Sequence, residues 1–210
     1  MFKFNNHLLK VRYNFLTMQT ERQQEIILSA LDLINEKGIQ GLTIKNLSKK
    51  IGVTEPAIYR HFENKIQILL ALLDLLKTNT STIFQAELDS DESAVRKIER
   101  LFEKHFKNFA DMPPMASVVF SEEMFRNEEK LIEKISEIIE INNKSLLIIL
   151  KQGQQKNEIR SDINTEHLAV FIMGALRLFV KKWQFAKCSF DLQKEGSKLI
   201  QSVKILISDK

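Results

Sequence analysis

Hydrogen-bonding side chains are concentrated in residues 41–65 of this chain of 210 residues. The stretch combines hydroxyl, ammonium, phenol and imidazole groups, which donate hydrogen bonds to phosphate oxygens and can hold a protein on a nucleic-acid backbone. A glutamate and an alanine among them suit the start of a helix that reads base edges in the major groove. The candidate DNA-contacting residues are Thr43, Lys45, Thr54, Glu55, Ala57, Tyr59, His61 and Lys65.

Two short helices separated by a tight turn must position these side chains. Thr43 can cap the first helix, and Gly52 can adopt the left-handed conformation that ends it. Thr54 can cap the second helix. Pro56 is tolerated within the first turn of that helix, because the N–H that proline lacks would have no partner there. This spacing predicts a helix-turn-helix, although two such helices could also belong to an ordinary all-helical domain. The residues expected to hold the shape are Leu47, Ile51, Val53, Ile58 and Phe62.

Three segments around this helix pair carry a family pattern. Residues 30–38 read ALDLINEKG, residues 42–44 and 47–53 read LTI and LSKKIGV, and residues 57–65 read AIYRHFENK. Together they resemble the N-terminal domain of the TetR/AcrR repressors over residues 20–70, without gaps. The resemblance implies a DNA-binding helix-turn-helix, a ligand-sensing helical body, and a dimer in which the final two helices pack against their twins.

The composition predicts an all-α protein. Hydrophobic residues make up 44% of the chain, and only six glycines and three prolines interrupt it. Apolar residues recur at helical spacing, without the sustained alternation that marks strands. We expect an N-terminal extension over residues 1–19, a three-helix helix-turn-helix domain over residues 20–66, and a C-terminal helical ligand-binding and dimerisation domain over residues 67–210.

The basic excess lies in the N-terminal third. The net charge is +4, and residues 1–66 hold ten Lys and Arg against six Asp and Glu, whereas the remainder holds twenty-one of each. A basic head on an electrically balanced body fits phosphate contacts, which supply most sequence-independent affinity for DNA. A surplus of this size is common among proteins, so it supports the DNA-binding hypothesis without establishing it.

The sequence lacks the motifs that are typical of enzymes and of metal sites. It has no Gly-rich phosphate loop and no nucleophile motif, and its four histidines form no metal-binding pattern. Cys188 stands alone and cannot form an internal disulfide, which favours a cytoplasmic setting. No segment has the pattern of a signal peptide or a membrane span. We therefore expect no enzymatic activity, no cofactor, no metal ion and no membrane partner.

Residues 1–17 allow two interpretations. Met18 is followed by a capping pattern that begins at Thr20, so the natural start could be Met18. Alternatively, Lys3, Lys10 and Arg12 could belong to a basic arm that lies along DNA. Comparing the operator affinity of the full chain with that of a chain beginning at Met18 separates the two, because only an arm changes the affinity.

Apolar periodicity places the helices of the body. The run from Ile66 to Leu76 is apolar on nearly every turn and could connect the head to the body as a lever. A further helix should end at the Met112-Pro113-Pro114 interruption, since proline cannot continue it. The remaining predicted helices are Ser117–Arg126, Glu128–Gln155, Thr165–Phe185 and Phe190–Ile207.

Aromatic and methionine side chains are frequent in the body and could line a pliable apolar cavity, or could simply fill a core. The candidate pocket residues are Phe102, Phe106, Phe109, Met115, Phe120, Met124, Phe171, Phe179 and Trp183. The polar residues that could orient a ligand are His105, Glu122, Glu123, Asn143, Gln152 and Arg177.

The last two predicted helices are strongly apolar for terminal elements. The family resemblance assigns them to a dimer interface, where small residues would permit close approach. The alternative is that they only complete the core of the monomer. The candidate interface residues are Ala169, Gly174, Ala175, Leu199 and Val203.

These observations predict a homodimeric, ligand-responsive transcriptional regulator that binds a pseudo-palindromic operator in double-stranded DNA. The resemblance implies a repressor that a small apolar or amphipathic effector releases, although the sequence does not separate repression from activation. The alternative is a helical interaction protein that keeps the fold but binds a protein partner. Salt-dependent, sequence-selective binding of DNA separates these two classes.

Overall fold

The computed structural model describes residues 19–121 and 125–209, and it confirms the predicted all-α class. The predictions for residues 1–17 and Met18, and the candidates Glu122, Glu123 and Met124, lie outside these ranges. Ile159 and Ser208 form an isolated antiparallel bridge. The helices are α1 (Glu21–Gly41), α2 (Ile44–Ile51), α3 (Glu55–Tyr59), α4 (Lys65–Leu88), α5 (Ala94–Asp111), α6 (Pro114–Val119), α7 (Glu129–Gln155), α8 (Thr165–Phe185) and α9 (Leu192–Ile207).

The described residues form two compact units. The first comprises residues up to Asn79 together with Asp111–Ser136, and the second comprises Thr80–Ala110 and the residues from Glu137 onward. The head predicted for residues 20–66 lies within the first unit, while α4 and α7 supply residues to both units. The domain boundary proposed at residue 66 stays a prediction. Among the described residues, no helix is both long enough and apolar enough to span a membrane.

Helix α1 supports the head of the first unit. The Thr20 hydroxyl accepts a hydrogen bond from the Gln23 N–H at 3.3 Å, and the Gln23 side chain accepts one from the Thr20 N–H at 3.0 Å. This reciprocal pair is the capping box that the sequence predicted. Gly38 has φ 68° and ψ −179°, a conformation almost confined to glycine, so the regular helix breaks there and a last turn continues to Gly41.

Helix α6 packs against α1 in the first unit. It begins at Pro114 and ends at Val119, so the predicted helix from Ser117 to Arg126 is wrong in its bounds. The two prolines do interrupt the preceding helix, but a proline at the first helical positions removes only an N–H that has no partner. Pro114 therefore starts the next helix instead of prolonging the loop.

Helix α5 contacts α9 in the second unit. Its Phe106 ring fits against the bare backbone of Gly196 in α9, where a Cβ would lie 2.3 Å from the ring. Its Glu99 carboxylate accepts hydrogen bonds from the Lys204 ammonium at 3.2 Å and the Gln201 amide at 3.4 Å, both on α9. Apolar packing and an ion pair therefore fix α9 against α5.

The caps of α8 and α9 differ from the sequence prediction by one or two residues. The Asn164 side chain, and not Thr165, caps α8 by accepting a hydrogen bond from the Glu166 N–H at 2.8 Å. Asp191 caps α9, because its carboxylate accepts hydrogen bonds from the N–H groups of Gln193 and Lys194 at 3.0 and 2.9 Å. Helix α9 therefore begins after Asp191 and not at Phe190, because a carboxylate is a far better cap than a phenyl ring.

The ion pair of Glu99 predicts a pH-dependent contribution to stability. The Arg96 guanidinium, followed by the Lys204 ammonium, holds the pKa of Glu99 below its ordinary value of 4.5. The pKa of Glu99 is lower in the folded protein than in the unfolded chain. The ion pair therefore contributes its full stability above the pKa of the unfolded chain, and this stability is lost as the pH falls through the pKa of the folded protein.

We expect Glu99→Gln to lower the free energy of unfolding at pH 7 by about 1 kcal/mol, the net value of a hydrogen-bonded ion pair. Urea denaturation at several pH values measures the difference between the two proteins. This difference in the free energy of unfolding should shrink as the pH falls below 4.5, the ordinary pKa of a glutamate, since protonated Glu99 resembles glutamine. A difference that stays constant down to the acid limit contradicts the assignment.

Candidate DNA-binding site

Helix α2 ends in a tight turn that the sequence specifies residue by residue. The Thr43 hydroxyl caps its start by accepting a hydrogen bond from the Asn46 N–H at 3.1 Å. Gly52 ends it in the left-handed conformation, with φ 80° and ψ 32°. The N–H groups of Gly52 and Val53 both donate to the Ser48 carbonyl, at 2.9 and 3.0 Å. The turn predicted between the two helices is therefore present.

Helix α3 is short and is held by its apolar side. It begins after Thr54 and contains only five residues, Glu55–Tyr59. The chain then continues in a helical turn, in which the N–H groups of His61 and Phe62 donate to the Ile58 carbonyl at 2.9 and 3.1 Å. Ile58 and Phe62 are buried, so the opposite face of α3 points to solvent.

The candidate DNA-contacting residues lie on the surface of the first unit. Thr43, Lys45, Thr54, Glu55 and Tyr59 are exposed, whereas Ala57, His61 and Lys65 are half-buried. The Thr54 hydroxyl makes no capping hydrogen bond, so it can donate to a phosphate oxygen.

Lys65 has a structural contact that its sequence position did not indicate. Its ammonium donates a hydrogen bond to the carbonyl of Ile39 at 3.2 Å. The contact joins the first turn of α4 to the segment that follows the Gly38 break. Loss of the Lys65 side chain would therefore loosen the head as well as remove a phosphate donor.

Two further cations belong to this surface and were missed. Lys49 lies one turn beyond Lys45 on α2, and Arg60 directly follows α3, and both are exposed. Neither Lys45, Lys49 nor Arg60 has an ion-pair partner in residues 19–121 and 125–209, whereas Lys50 is paired with Glu36 at 2.7 Å. The signal for Lys49 was its spacing of four residues from Lys45, which places both on one helical face.

Tyr59 and Arg60 allow a prediction with a clear readout. We expect Tyr59→Ala and Arg60→Ala each to weaken operator binding by about tenfold, because each removes a hydrogen-bond donor from the DNA-facing surface. The slope of log affinity against log salt should become shallower by about one for Arg60→Ala and stay unchanged for Tyr59→Ala. Fluorescence anisotropy over a salt series measures both, and Lys50→Ala, at a cation already paired within the protein, is the control. Wild-type affinity in both variants contradicts the assigned docking.

The candidate pocket residues are distributed over both units. In the second unit, the Phe102 and Phe106 ring centroids lie 5.7 Å apart and those of Phe106 and Phe179 lie 5.6 Å apart. Phe109 is buried there too, and Trp183 is buried with its indole N–H donating to the Phe190 carbonyl at 2.9 Å. In the first unit, Met115 and Phe120 are buried.

The prediction that Phe171 lines an internal pocket is not supported, because its side chain is 64% exposed on α8. Two dimer-interface candidates are buried within their own chain, since Ala169 is 1% exposed and Val203 is 6% exposed. Their assignment to the interface stays a prediction that this burial does not support. Gly174 is exposed, and Ala175 and Leu199 are half-buried.

Two family models match the chain with this architecture. The model described as "Bacterial regulatory proteins, tetR family" matches residues 26–72, and the model described as "YsiA-like protein, C-terminal region" matches residues 77–208. The chain therefore belongs to the tetR family of bacterial regulatory proteins. It is a transcriptional regulator with a helix-turn-helix DNA-binding domain, and not an enzyme.

Similar proteins include regulators of fatty acid metabolism. The "Fatty acid metabolism regulator protein" of Bacillus subtilis is 26% identical over 171 residues, which cover 81% of this chain and 88% of that protein. The structure of the fatty acid degradation regulator FadR from Bacillus halodurans matches with a TM-score of 0.77 at 23% identity, covering 89% of this chain and 96% of that one.

A second FadR structure, from Bacillus subtilis in complex with stearoyl-CoA, matches with a TM-score of 0.73 at 24% identity. The match covers 85% of this chain and 96% of that chain. At 23% and 24% identity, the similarity of this chain to each of the two solved structures shows that it shares their fold.

Proposed function

We propose that this regulator is a cytoplasmic repressor that binds a pseudo-palindromic operator as a homodimer and is released by a small apolar or amphipathic effector. The observation that carries the proposal is the surface of α2 and α3, where exposed donors and free cations surround a short helix. Phosphate contacts by Thr43, Lys45 and Arg60 would fix the register of that surface on DNA. Glu55 and Ala57 would approach base edges at the start of α3.

An exposed apolar face supports the homodimer. Phe171, Gly174, Leu178 and Phe185 recur along α8 at intervals of three, four and seven residues, and Phe185 is 74% exposed. Apart from the adjacent residues and the backbone of α8 itself, no atom of the described residues lies within 4 Å of the position that a Cβ on Gly174 would occupy, so another helix could approach closely there. Contiguous apolar surface of this kind usually marks an interface in a soluble protein. The exposed apolar residues of α8 and α9 are Val170, Phe171, Leu178, Phe185, Ile205 and Leu206.

The interior of the second unit supports an apolar or amphipathic effector. Its ring contacts continue from Phe102 through Phe106 and Phe179 to Phe190, whose centroid lies 5.9 Å from that of Phe179. Clusters of aromatic side chains are typical of sites for apolar ligands. The stearoyl-CoA bound by the Bacillus subtilis FadR is an amphipathic molecule, which makes acyl thioesters reasonable first compounds to test.

Helix α4 would transmit the effect of effector binding to the DNA-binding head. It is continuous from Lys65, which contacts the head, to Leu88, and its residues from Thr80 onward belong to the second unit. Two recognition helices must lie about 34–36 Å apart, or a multiple of that distance, to enter successive major grooves. An effector that tilts α4 would change this spacing and release the operator, provided that it binds the two conformations with different affinity.

A mobility-shift titration with fragments of the host genome tests the proposal. We expect sequence-selective shifts that weaken steeply with salt, and reversal of the shift by an apolar or amphipathic effector. Light scattering of the free protein should give the mass of two chains. If no fragment is shifted even at low salt, the helical interaction protein that binds a protein partner becomes the better explanation.

A further inference from the structure

Residues 38–43, the junction between α1 and α2, follow a path that needs two glycines. Gly38 has φ 68° and ψ −179°, a conformation in which a side chain would be strained. A Cβ on Gly41 would lie 2.2 Å from the Cβ of Lys37, far inside the distance of an ordinary contact. The end of α1 therefore takes one particular course into α2.

Side chains from two other helices bind carbonyl groups of the junction. The Asn46 amide, on α2, donates a hydrogen bond to the Gly41 carbonyl at 2.9 Å. The Lys65 ammonium, on α4, donates one to the Ile39 carbonyl at 3.2 Å, and this carbonyl also accepts from the Leu42 N–H at 3.3 Å. Carbonyl groups at the end of a helix lack an intrahelical donor and need such partners. The junction is therefore held by both α2 and α4.

Asn46 also fixes the start of α2 through its backbone. Its N–H donates to the Thr43 hydroxyl at 3.1 Å, while its side chain reaches Gly41. The Thr43 hydroxyl accepts this bond and keeps its own proton, which it can donate to a phosphate oxygen. Lys45 directly precedes Asn46 and is exposed. Both candidate phosphate contacts at the start of α2 therefore adjoin a residue that is bonded to the junction by its backbone and its side chain.

The other contacts of α2 do not fix its first turn in the same way. Leu47 is fully buried, but apolar contacts are non-directional and allow a helix to rotate or slide. Near the opposite end, Lys50 pairs with Glu36, whose side chain is 52% exposed, so this ion pair contributes little. The side-chain hydrogen bond of Asn46 is partly buried and directional. It is therefore the contact that sets the orientation of the first turn.

We propose that Asn46 and Lys65 are positioning residues of the DNA-binding site, which hold the junction and so place Thr43 and Lys45 on the phosphate backbone. Asn46 does this without touching DNA, whereas Lys65 combines it with its own phosphate contact. Without these bonds the first turn of α2 samples several orientations, and binding must then order it at a cost in entropy. The inference goes beyond the proposed function, because it needs DNA binding but no repression, effector or dimer.

Amide hydrogen exchange of the free protein, followed by NMR, tests the junction in the absence of DNA. We expect Asn46→Ala and Lys65→Met each to raise the exchange rate of the Leu42 amide at least about fivefold, because each removes a bond that holds the junction. The Val53 amide, which is bonded within the turn after α2, should keep its rate. Lys49→Ala is the matched control on α2 and should change neither rate. Unchanged exchange of the Leu42 amide in either variant overturns the proposal.

Fluorescence anisotropy with a genomic fragment that the wild-type protein shifts measures the effect on DNA binding. We expect Asn46→Ala to weaken binding about tenfold. The slope of log affinity against log salt should also become shallower by about one, although no charge is removed, because Lys45 loses its phosphate contact. A defect confined to folding would lower the fraction of active protein and leave this slope unchanged. Wild-type affinity, or weaker binding with an unchanged slope, contradicts the proposal.

Double variants separate positioning from direct contact with DNA. Because Asn46 acts through its neighbour, Asn46→Ala in a Lys45→Ala background should weaken binding by no more than about threefold. Lys49 lies one turn beyond Lys45 on α2, and in a Lys49→Ala background Asn46→Ala should keep its full effect of about tenfold. An effect of about tenfold in both backgrounds would mean that Asn46 contacts DNA itself, which contradicts its positioning role.

These results are distinguishable from a failure of the proposed function. A wild-type protein that shifts DNA, with an Asn46→Ala variant that keeps its affinity and salt slope, contradicts only the positioning roles. A monomeric mass, or a shift that no apolar or amphipathic compound reverses, contradicts the proposed function and leaves the roles of Asn46 and Lys65 standing.

Discussion

Leu178→Glu is expected to turn the proposed dimer into a monomer and to lower operator affinity by about a hundredfold or more. Leu178 lies in the middle of the exposed apolar face of α8, between Phe171 and Phe185. A carboxylate there would have to be buried in an apolar interface without a cation to pair with, which costs far more free energy than such an interface can offset. A single head then binds one half-site without the gain that comes from linking two binding events.

Sedimentation velocity measures the mass of the variant, and anisotropy measures its operator affinity. The matched control is Ile139→Glu, which places the same charge at an exposed isoleucine of α7 in the same unit. Circular dichroism should show unchanged helicity for both variants, because neither side chain contributes to the core. A Leu178→Glu protein that remains a dimer, or a monomer that binds operator as tightly as wild type, contradicts the assigned interface.

Gly196→Val is expected to lower the free energy of unfolding by about 2–3 kcal/mol. A Cβ on Gly196 would lie 2.3 Å from Cδ2 and 2.6 Å from Cε2 of the Phe106 ring. These separations are well below the ~3.5–4.0 Å at which carbon atoms attract each other. The ring cannot swing away freely, since Phe102 and Phe179 pack against it on other sides.

Thermal and urea denaturation test this prediction, with Ser197→Val as the control. Ser197 is the exposed neighbour of Gly196 on α9, so the same valine there should change stability by no more than about 0.5 kcal/mol. For a chain of this size the loss in Gly196→Val corresponds to roughly 5–10 °C in Tm. An unchanged Tm would mean that the Phe106 ring can move aside, and the close packing of α9 on α5 would not matter for stability.

The head of the molecule was predictable because its signals are local. Thr43 caps the helix that it begins, and Gly52 takes the left-handed conformation that its type favours. The contact of Lys65 with Ile39, in contrast, joins residues twenty-six positions apart and has no sequence signal. The sequence therefore identified the helix-turn-helix but not what fixes α4 to it.

The faces of the body helices were not predictable in the same way. Helix α8 is apolar on more than one side, so periodicity did not show that Ala169 faces its own core while Leu178 faces solvent. Asn142 and Asn143 differ by about 100° around α7, and only the packing of that helix decides which amide is buried. The choice between them depends on tertiary contacts that adjacent, identical residues cannot encode.

Sequencing of the genomic fragments that the purified protein selects tests the central claim most directly, namely that two heads read one operator together. The account predicts enrichment of fragments that share a pseudo-palindrome, with half-site centres one helical turn or a multiple of it apart. A double variant carrying Tyr59→Ala and Arg60→Ala should lose this enrichment. Fragments without a shared symmetric motif, or the same fragments selected by the double variant, would contradict the account.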